Sequence, residues 1–146
     1  MNHAFDNAAP ETSSKPAVPA GQASQSYTRI YADEAGETHF EEVGVALSPA
    51  DLAPPAPPLE LSAPYQAARV LFASMPVGWF GDWHPAPRRQ FFVQMTGEVV
   101  TEMTDGSRVQ TGPGSVTLIE DVNSKGHRTW NAGDVPMTGA FVQLAE

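Results

Sequence analysis

Two histidines in the second half of the chain have the residue type and setting that suit proton transfer. His84 precedes Pro85, and His127 follows a glycine-containing turn over 123–126. Imidazole is the one side chain whose unperturbed pKa, near ~6.5, lets it accept and donate protons at neutral pH. We therefore predict that His84 and His127 act as an acid and a base on one substrate, with Asp121 orienting one ring.

The same histidines can instead anchor a divalent metal. His84, His127 and the carboxylate of Asp121 would form a two-histidine, one-carboxylate face, with Gln90 as a fourth donor. Two further donors are present in the sequence, Glu120 and His39. The cofactor is therefore left open, and a metal-dependent oxygenase or lyase is an alternative to acid–base chemistry.

Cations are concentrated around these histidines. Half of the eight lysines and arginines lie there, namely Arg88, Arg89, Lys125 and Arg128. In an acidic chain such a collar would attract a carboxylate or phosphate, and arginine binds carboxylates through two parallel hydrogen bonds. The alternative is that the cations form surface ion pairs of little energetic value with the nearby acids Asp82, Glu120 and Asp121. The first interpretation predicts an anionic small molecule held by Arg88, Arg89 and Lys125.

Short strands must position these residues, because no window keeps the 3.6-residue apolar period of a long helix. Extended segments are predicted from Tyr27 onward and over 38–47. Asp105-Gly106 is a hairpin signal between two of the later runs. Those runs are 69–75, 91–95, 98–103, 108–111, 116–119, 127–130 and 140–144. Many short strands separated by turns are typical of a sandwich or barrel.

The remaining segments have compositions that disfavour regular structure. Residues 1–26 contain no Ile, Leu, Trp or Tyr, so they are predicted to be a disordered tail in which His3 is solvated. Residues 27–146 would then form one domain. Six prolines lie between 49 and 64, which predicts an irregular loop that covers one end of the domain. A polyproline ligand for a signalling domain is the alternative.

Two spaced motifs identify a resemblance that covers about residues 68 to 144. The first motif consists of Gly78, His84, Ala86, Gln90 and Gly97, and the second of Gly106, Gly112, Gly114, Thr117 and Asp121. Their spacing resembles the paired motifs of the cupin superfamily of small β-barrels. The boxes at 84–90 and 125–127 look like those of small single-domain bacterial and fungal cupins. The resemblance implies a single-domain all-β jelly-roll barrel and a homodimer, because related barrels often pair through their sheets.

The motif positions depart from a metal-binding cupin. Such a cupin supplies three histidines and a glutamate, which would fall on His84, Ala86, Gln90 and Thr117 of this chain. Alanine cannot coordinate a metal, and glutamine and threonine are poor replacements for a carboxylate and an imidazole. The standard metal site is therefore broken.

Strand alternation predicts the lining of the barrel. If Gln90 points inward, as the resemblance implies, Phe92, Gln94 and Thr96 point inward with it. The corresponding inward set of the second motif is Thr117, Ile119 and Asp121. Such a mixture of apolar and hydrogen-bonding groups suits a small organic ligand, for which Gln90, Phe92, Gln94 and Thr117 are predicted contacts. The alternative is a barrel filled by its own side chains.

Composition excludes several classes of function. With 8 basic and 17 acidic residues the formal net charge is -9, which disfavours nucleic acid and anionic membranes as partners. The chain has no cysteine and thus no disulfide or thiolate chemistry. It has no run of about 18 apolar residues, and its start lacks the features of a secretion signal, so a cytoplasmic location is expected. We expect a small-molecule enzyme of the isomerase, cyclase or lyase type, with a noncatalytic binding or sensing protein as the other alternative.

Overall fold

The structure, a computed structural model, describes residues 24–146. This part of the chain is all-β, with twelve strands and no helix. The strands are β1 Gln25–Ala32, β2 Thr38–Val45, β3 Ser48–Ala50, β4 Leu59–Leu61, β5 Ala67–Met75, β6 Phe80–His84, β7 Gln90–Thr96, β8 Val99–Met103, β9 Arg108–Thr111, β10 Val116–Ile119, β11 His127–Asn131 and β12 Met137–Leu144. The all-β prediction is confirmed.

Two sheets carry almost all of the strands. The first has six strands in the order β2-β1-β10-β7-β12-β5, and the second has four in the order β6-β11-β8-β9. Strands β3 and β4 form a separate pair. No strand pairing within residues 24–146 joins the two large sheets, so the closed barrel that was predicted is not formed by these strands.

Cross-strand rows set which side chains share a face. On the six-stranded sheet, Ile30 lies opposite Ile119, which lies opposite Gln90 on β7. In the next row, Thr117 lies opposite Phe92, which in turn lies opposite Phe141. Because side chains alternate along a strand, these rows share the inner face. A small core of Ile30, Met103 and Val109 packs beside them.

The segments that flank this framework differ from the sequence expectations. The tail prediction over 1–26 falls mainly outside the described residues, as does His3, but positions 25 and 26 belong to β1. The proline-rich segment contains the β3–β4 pair, and residues 51–60 are all exposed. Leu52 and Leu59 in this segment are exposed, and the covering of one end of the domain by the segment stays a prediction.

Strand β6 was not predicted. Its sequence, Phe80 to His84, carries a glycine and an aspartate, which disfavour strands in isolation. It is held because it pairs with β11, where the ladder places His84 directly opposite His127. Residues 24–146 include no helix with the length and apolar character needed to cross a lipid bilayer.

Candidate functional site

A cavity of about 150 Å³ lies between the inner faces of the two large sheets. It is close in size to cavities that accommodate a benzene-sized molecule. Most of the lining is apolar, and no aspartate, glutamate, lysine or arginine is part of it. The polar groups that line it are His84, Gln90, Gln94, Thr101, Thr111, Thr117, His127 and Thr129.

His84 and His127 line this cavity together. Their ring centroids are 4.6 Å apart, and the ring planes are tilted by 58°. The Nδ1 atom of His84 lies 2.5 Å from the backbone carbonyl oxygen of Asp82. A carbonyl only accepts hydrogen bonds, so Nδ1 of His84 must carry the proton. The Nε2 atom, for which no hydrogen-bond partner exists among residues 24–146, is then the basic nitrogen of the neutral ring.

Asp121 holds the second ring. Its Oδ2 atom lies 2.6 Å from Nδ1 of His127, and the aspartate side chain is 0% exposed. Because the carboxylate accepts the Nδ1 proton, it fixes the ring orientation of His127 and leaves Nε2 without a described partner. The turn that places Asp121 is closed by a hydrogen bond from the hydroxyl of Ser124 to the Asp121 carbonyl oxygen. The structure therefore brings His84, His127 and Asp121 together.

A glycine makes the close approach of these histidines possible. A Cβ atom built on Gly126 would lie 2.3 Å from the carbonyl carbon and 2.4 Å from the carbonyl oxygen of His84. Gly126 also has φ of +84°, a conformation that side chains with a Cβ rarely adopt. The Lys-Gly-His segment is thus explained by backbone contact between the turn before β11 and the end of β6.

The predicted ligand contacts on β7 and β10 also line the cavity. Gln90, Phe92, Gln94 and Thr117 are all part of the lining. The amide of Gln94 is fully engaged, because Oε1 accepts from the Thr111 hydroxyl at 2.8 Å and Nε2 donates to the Gly97 carbonyl at 2.9 Å. Thr96, which alternation also placed inward, lies outside the lining and bonds Thr138.

The donor set does not fit a resident metal ion. The oxygen of Gln90 accepts a hydrogen bond from Gln143 at 2.8 Å, and the carboxylate of Asp121 sits behind His127 on Nδ1 rather than beside Nε2. Within residues 24–146, no three histidine, aspartate or glutamate side chains are grouped so that they could hold a metal. The metal alternative with His84, His127, Asp121 and Gln90 thus lacks a third suitably placed ligand.

The predicted cationic collar does not face the cavity. Arg88 donates to the Leu144 carbonyl at 2.9 Å, Arg89 pairs with Glu120 at 3.0 Å, and Lys125 pairs with Glu37. Arg128 likewise bonds Glu102. None of the four cations is part of the cavity lining. Three of the four cations are therefore in ion pairs and Arg88 binds a backbone carbonyl, which favours the ion-pair alternative over the anion-binding one.

Glu120 shows how firmly these cations are engaged. Burial alone would raise the pKa of its carboxyl, but hydrogen bonds from Arg29 and Arg89 outweigh burial and lower that pKa overall. Arg29 reaches Glu120 from β1 at 2.5 Å, so the carboxylate is held between two guanidinium groups. Arg89 is consequently engaged by Glu120 and is not part of the cavity lining.

His39, which the sequence analysis offers as a further metal ligand, is not part of the cavity lining. Its Nε2 atom lies 2.8 Å from Asp33 and its Nδ1 atom 2.9 Å from Asp105. The hydrogen bond with Asp33, and then that with Asp105, raise the pKa of His39 despite partial burial. This ion-pair cluster ties the β1–β2 turn to the β8–β9 turn and has no ring nitrogen left for a ligand.

The sequence analysis did not identify Gln143, which bonds the cavity-lining Gln90, or Arg69, which bonds Gln143. Both lie in the row that begins at Gln90, because Gln143 pairs with Gln90 and Arg69 with Gln143. A polar residue inside the apolar run 140–144, in phase with Phe141 and hence on the inner face, was the available signal.

Comparison of the chain with protein-family models and with curated proteins finds no match.

Proposed function

We propose that the chain binds a small organic molecule in the cavity and transfers protons on it through His84 and His127. One observation carries the proposal: two imidazoles 4.6 Å apart line one cavity, each held at Nδ1 and each with Nε2 left over. A pair of imidazoles in this arrangement can take a proton at one position of a ligand and return it at another. Chemistry of this kind belongs to isomerases, cyclases and lyases.

The roles of the three residues follow from their contacts. In its neutral form, His84 is a base at Nε2, since its Nδ1 proton is committed to a backbone carbonyl. We assign the acid role to His127, the other ring of the pair, whose orientation is fixed by the contact between Nδ1 and the carboxylate of Asp121. Asp121 is a positioning residue, since it contacts His127 and is not part of the cavity lining.

The lining also bears on the charge of the ligand. Without a lysine or arginine in the cavity wall, a negative charge on a ligand would be met only by a protonated histidine. Burial of an unpaired carboxylate is costly, so the apolar wall favours an uncharged molecule over the anion predicted from the sequence. We therefore propose an uncharged ligand of about benzene size.

Membership of the cupin superfamily and a jelly-roll fold are also proposals. They are supported by the two motif spacings and by the presence of two facing sheets with a cavity between them. In this proposal the cavity takes the place of the cupin metal site, with Ala86 and Thr117 at two of the former ligand positions.

A binding experiment with paired variants tests the cavity. Benzene-sized uncharged compounds should raise the melting temperature of the parent protein and fail to do so in Thr117→Leu, whose side chain enlarges into the cavity. Gln110→Leu, at an exposed position of β9, is the matched control and should respond like the parent. Equal ligand responses in all three proteins would contradict binding in this cavity.

Turnover then separates an enzyme from a binding protein. For any compound that binds, exchange of carbon-bound hydrogen for deuterium can be followed by proton NMR in D₂O. His84→Gln and His127→Gln should each slow exchange by about 10²-fold or more while they retain binding. Binding without exchange in the parent would favour the noncatalytic binding or sensing alternative.

We also propose a homodimer formed through β5. This strand is the edge of the six-stranded sheet, and Val70 and Phe72 on its outer face are 59% and 82% exposed. The nine-residue edge contains no proline and one charge, so it lacks the devices that normally protect a free edge. In an antiparallel pair of β5 strands centred on Leu71, Arg69 faces Ala73 of the second copy, so no like charges meet.

Solution mass tests the dimer. The parent should sediment as a dimer, and Phe72→Lys should shift it toward the monomer, because two added charges would face one apolar surface. Gln110→Lys, on β9, is the control variant and should leave the dimer intact. A parent that sediments as a monomer at concentrations up to about 100 μM would contradict the proposal.

A further inference from the structure

Three polar side chains form a row across the inner face of the six-stranded sheet. Arg69 on β5 pairs with Gln143 on β12, and Gln143 pairs with Gln90 on β7. Arg69 donates to Oε1 of Gln143 from Nε at 2.9 Å and from Nη2 at 2.5 Å. Nε2 of Gln143 donates to Oε1 of Gln90 at 2.8 Å. The row thus runs from the exposed edge of the sheet to the cavity.

The arginine fixes the direction of every hydrogen bond in this row. A guanidinium group only donates, so the atom of Gln143 that faces Arg69 must be its oxygen. The amide nitrogen of Gln143 then faces Gln90 and must meet an oxygen there. The amide of Gln90 is consequently locked with its Nε2 group turned away from Gln143.

That Nε2 group remains available to the cavity. It has no hydrogen-bond acceptor within residues 24–146, and it is not one of the fully buried unpartnered atoms, which are Nε of Arg88 and Oδ1 of Asp121. Gln90 is only 5% exposed and lines the cavity, so the accessible surface of its amide faces the cavity. Gln94, the other inward glutamine of β7, has both amide groups engaged.

We propose that Gln90 is the donor that binds the oxygen of a small uncharged carbonyl compound, an inference that rests on the proposed binding of an uncharged molecule in the cavity. The locked amide offers N–H groups in a wall that contains no lysine or arginine, which suits a carbonyl oxygen. The ligand class is therefore a ketone or aldehyde whose body is no larger than a benzene ring.

The chemistry that such a complex supports is enolisation. A histidine Nε2 takes the proton from the carbon next to the carbonyl, so a C–H bond breaks and an N–H bond forms. The C–H electron pair becomes the C=C bond, and the carbonyl π pair moves onto oxygen, where N–H groups of Gln90 stabilise the negative charge. Return of a proton from an imidazolium to carbon restores the carbonyl, and no oxidant or reductant is consumed.

A pair of probes of equal shape tests the donor. Cyclopentanone and methylenecyclopentane both have six non-hydrogen atoms and differ in whether oxygen or CH₂ ends the double bond. The parent should bind the ketone about tenfold more tightly, as one additional hydrogen bond implies. Gln90→Glu keeps the acceptor for Gln143 but removes the donor, so the ratio should fall to one or below. Gln110→Glu, exposed on β9, should keep the parent ratio.

Arg69→Met tests the locking of the row. It leaves the cavity wall intact but frees Gln143 and Gln90 to rotate their amides. Affinity for the ketone should fall about threefold, with little change for the hydrocarbon. A merely structural role of Arg69 would weaken both probes equally, and that result would contradict the locked orientation.

The outcomes separate this inference from the proposed function. Equal binding of both probes by the parent would overturn the role of Gln90 and leave a ligand-binding cavity. Binding of neither probe would overturn both. A tenfold ketone preference that disappears in Gln90→Glu supports the inference even if deuterium exchange into the ketone is absent, a result that would remove only the catalytic role of the histidines.

Discussion

The three histidines within residues 24–146 are held in two contrasting ways. His39 has a carboxylate at each ring nitrogen, Asp33 on one side and Asp105 on the other. His84 and His127 each have one nitrogen engaged and line a cavity with the ring. Three imidazoles within one small domain therefore differ in what they can still bind.

This difference separates a structural histidine from a reactive one. A ring that donates from both nitrogens is held as a cation and has no lone pair for a substrate. A ring that donates only from Nδ1 retains a lone pair at Nε2 and an orientation fixed by its partner. Engagement of both nitrogens, rather than residue type, thus identifies His39 as part of the scaffold.

The largest effect is expected from Gly126→Ala, which should separate His84 from His127. The added methyl group would overlap the backbone of His84, and the positive φ adds strain, so we expect a loss of about 3 kcal/mol in unfolding free energy. Chemical denaturation measures this loss.

Gly106→Ala is the matched control. Gly106 has φ of +91°, but no atom lies within 4 Å of its added Cβ. Its expected loss of about 1 kcal/mol isolates the backbone contribution. Equal losses in the two variants would show that Gly126 does not make the close contact with His84.

Asp121→Ala should have the next largest effect. It leaves the Nδ1 proton of His127 buried without an acceptor, which costs about 2 kcal/mol. Asp105→Ala removes the corresponding partner of His39, but that carboxylate is 30% exposed, so we expect less than about 1 kcal/mol. Thermal or chemical unfolding of both variants provides the comparison, and a larger loss in Asp105→Ala would reverse it.

The smallest effect is the pH dependence that the ion pairs of His39 add to the free energy of unfolding. The folded state raises the pKa of His39, first through the hydrogen bond with Asp33, so its contribution is complete below the ordinary pKa of histidine. It is lost as the pH rises through the raised value. The parent should therefore exceed His39→Gln in unfolding free energy by more at about pH 6 than at about pH 9.

The opposite trend, or no trend, would contradict the cationic state of His39.

The stability difference between parent and His39→Gln at low pH provides an internal check. The hydrogen bond from His39 lowers the pKa of Asp33, so this contribution is also lost at low pH when the carboxyl is protonated. The stability difference between parent and variant should consequently pass through a maximum between these limits.

The strand framework was largely predictable because its signals are local. Alternation and turns placed the strands around Phe92, Thr117 and Phe141 within a few residues of their observed bounds. Strand β6 was not predicted, since its residues favour loops and only the partner β11 stabilises it. Pairing between distant segments is a tertiary effect that residue preferences do not encode.

The site was predictable in part, because some of its residues also belong to local sequence motifs. Motif spacing singled out His84 and Asp121, the Lys-Gly-His segment added His127, and the structure places the three together. The cations were misplaced because sequence proximity does not show which acid each cation faces: Arg89 does pair with Glu120, one of the acids considered, but Arg128 bonds Glu102, 26 positions away. The hydrogen-bond direction set by Arg69 likewise depends on a three-strand row that no local pattern reveals.

The most direct test is the protonation of individual ring nitrogens, observed by long-range ¹H–¹⁵N NMR of the histidine side chains. In their neutral forms, His84 and His127 should both show the proton on Nδ1 and a bare Nε2, and His39 should show both nitrogens protonated. Single His→Gln variants assign the signals. A proton on Nε2 of neutral His84 or His127 would mean that Asp82 and Asp121 do not hold these rings, and the proposed proton transfer through the two Nε2 atoms would be wrong.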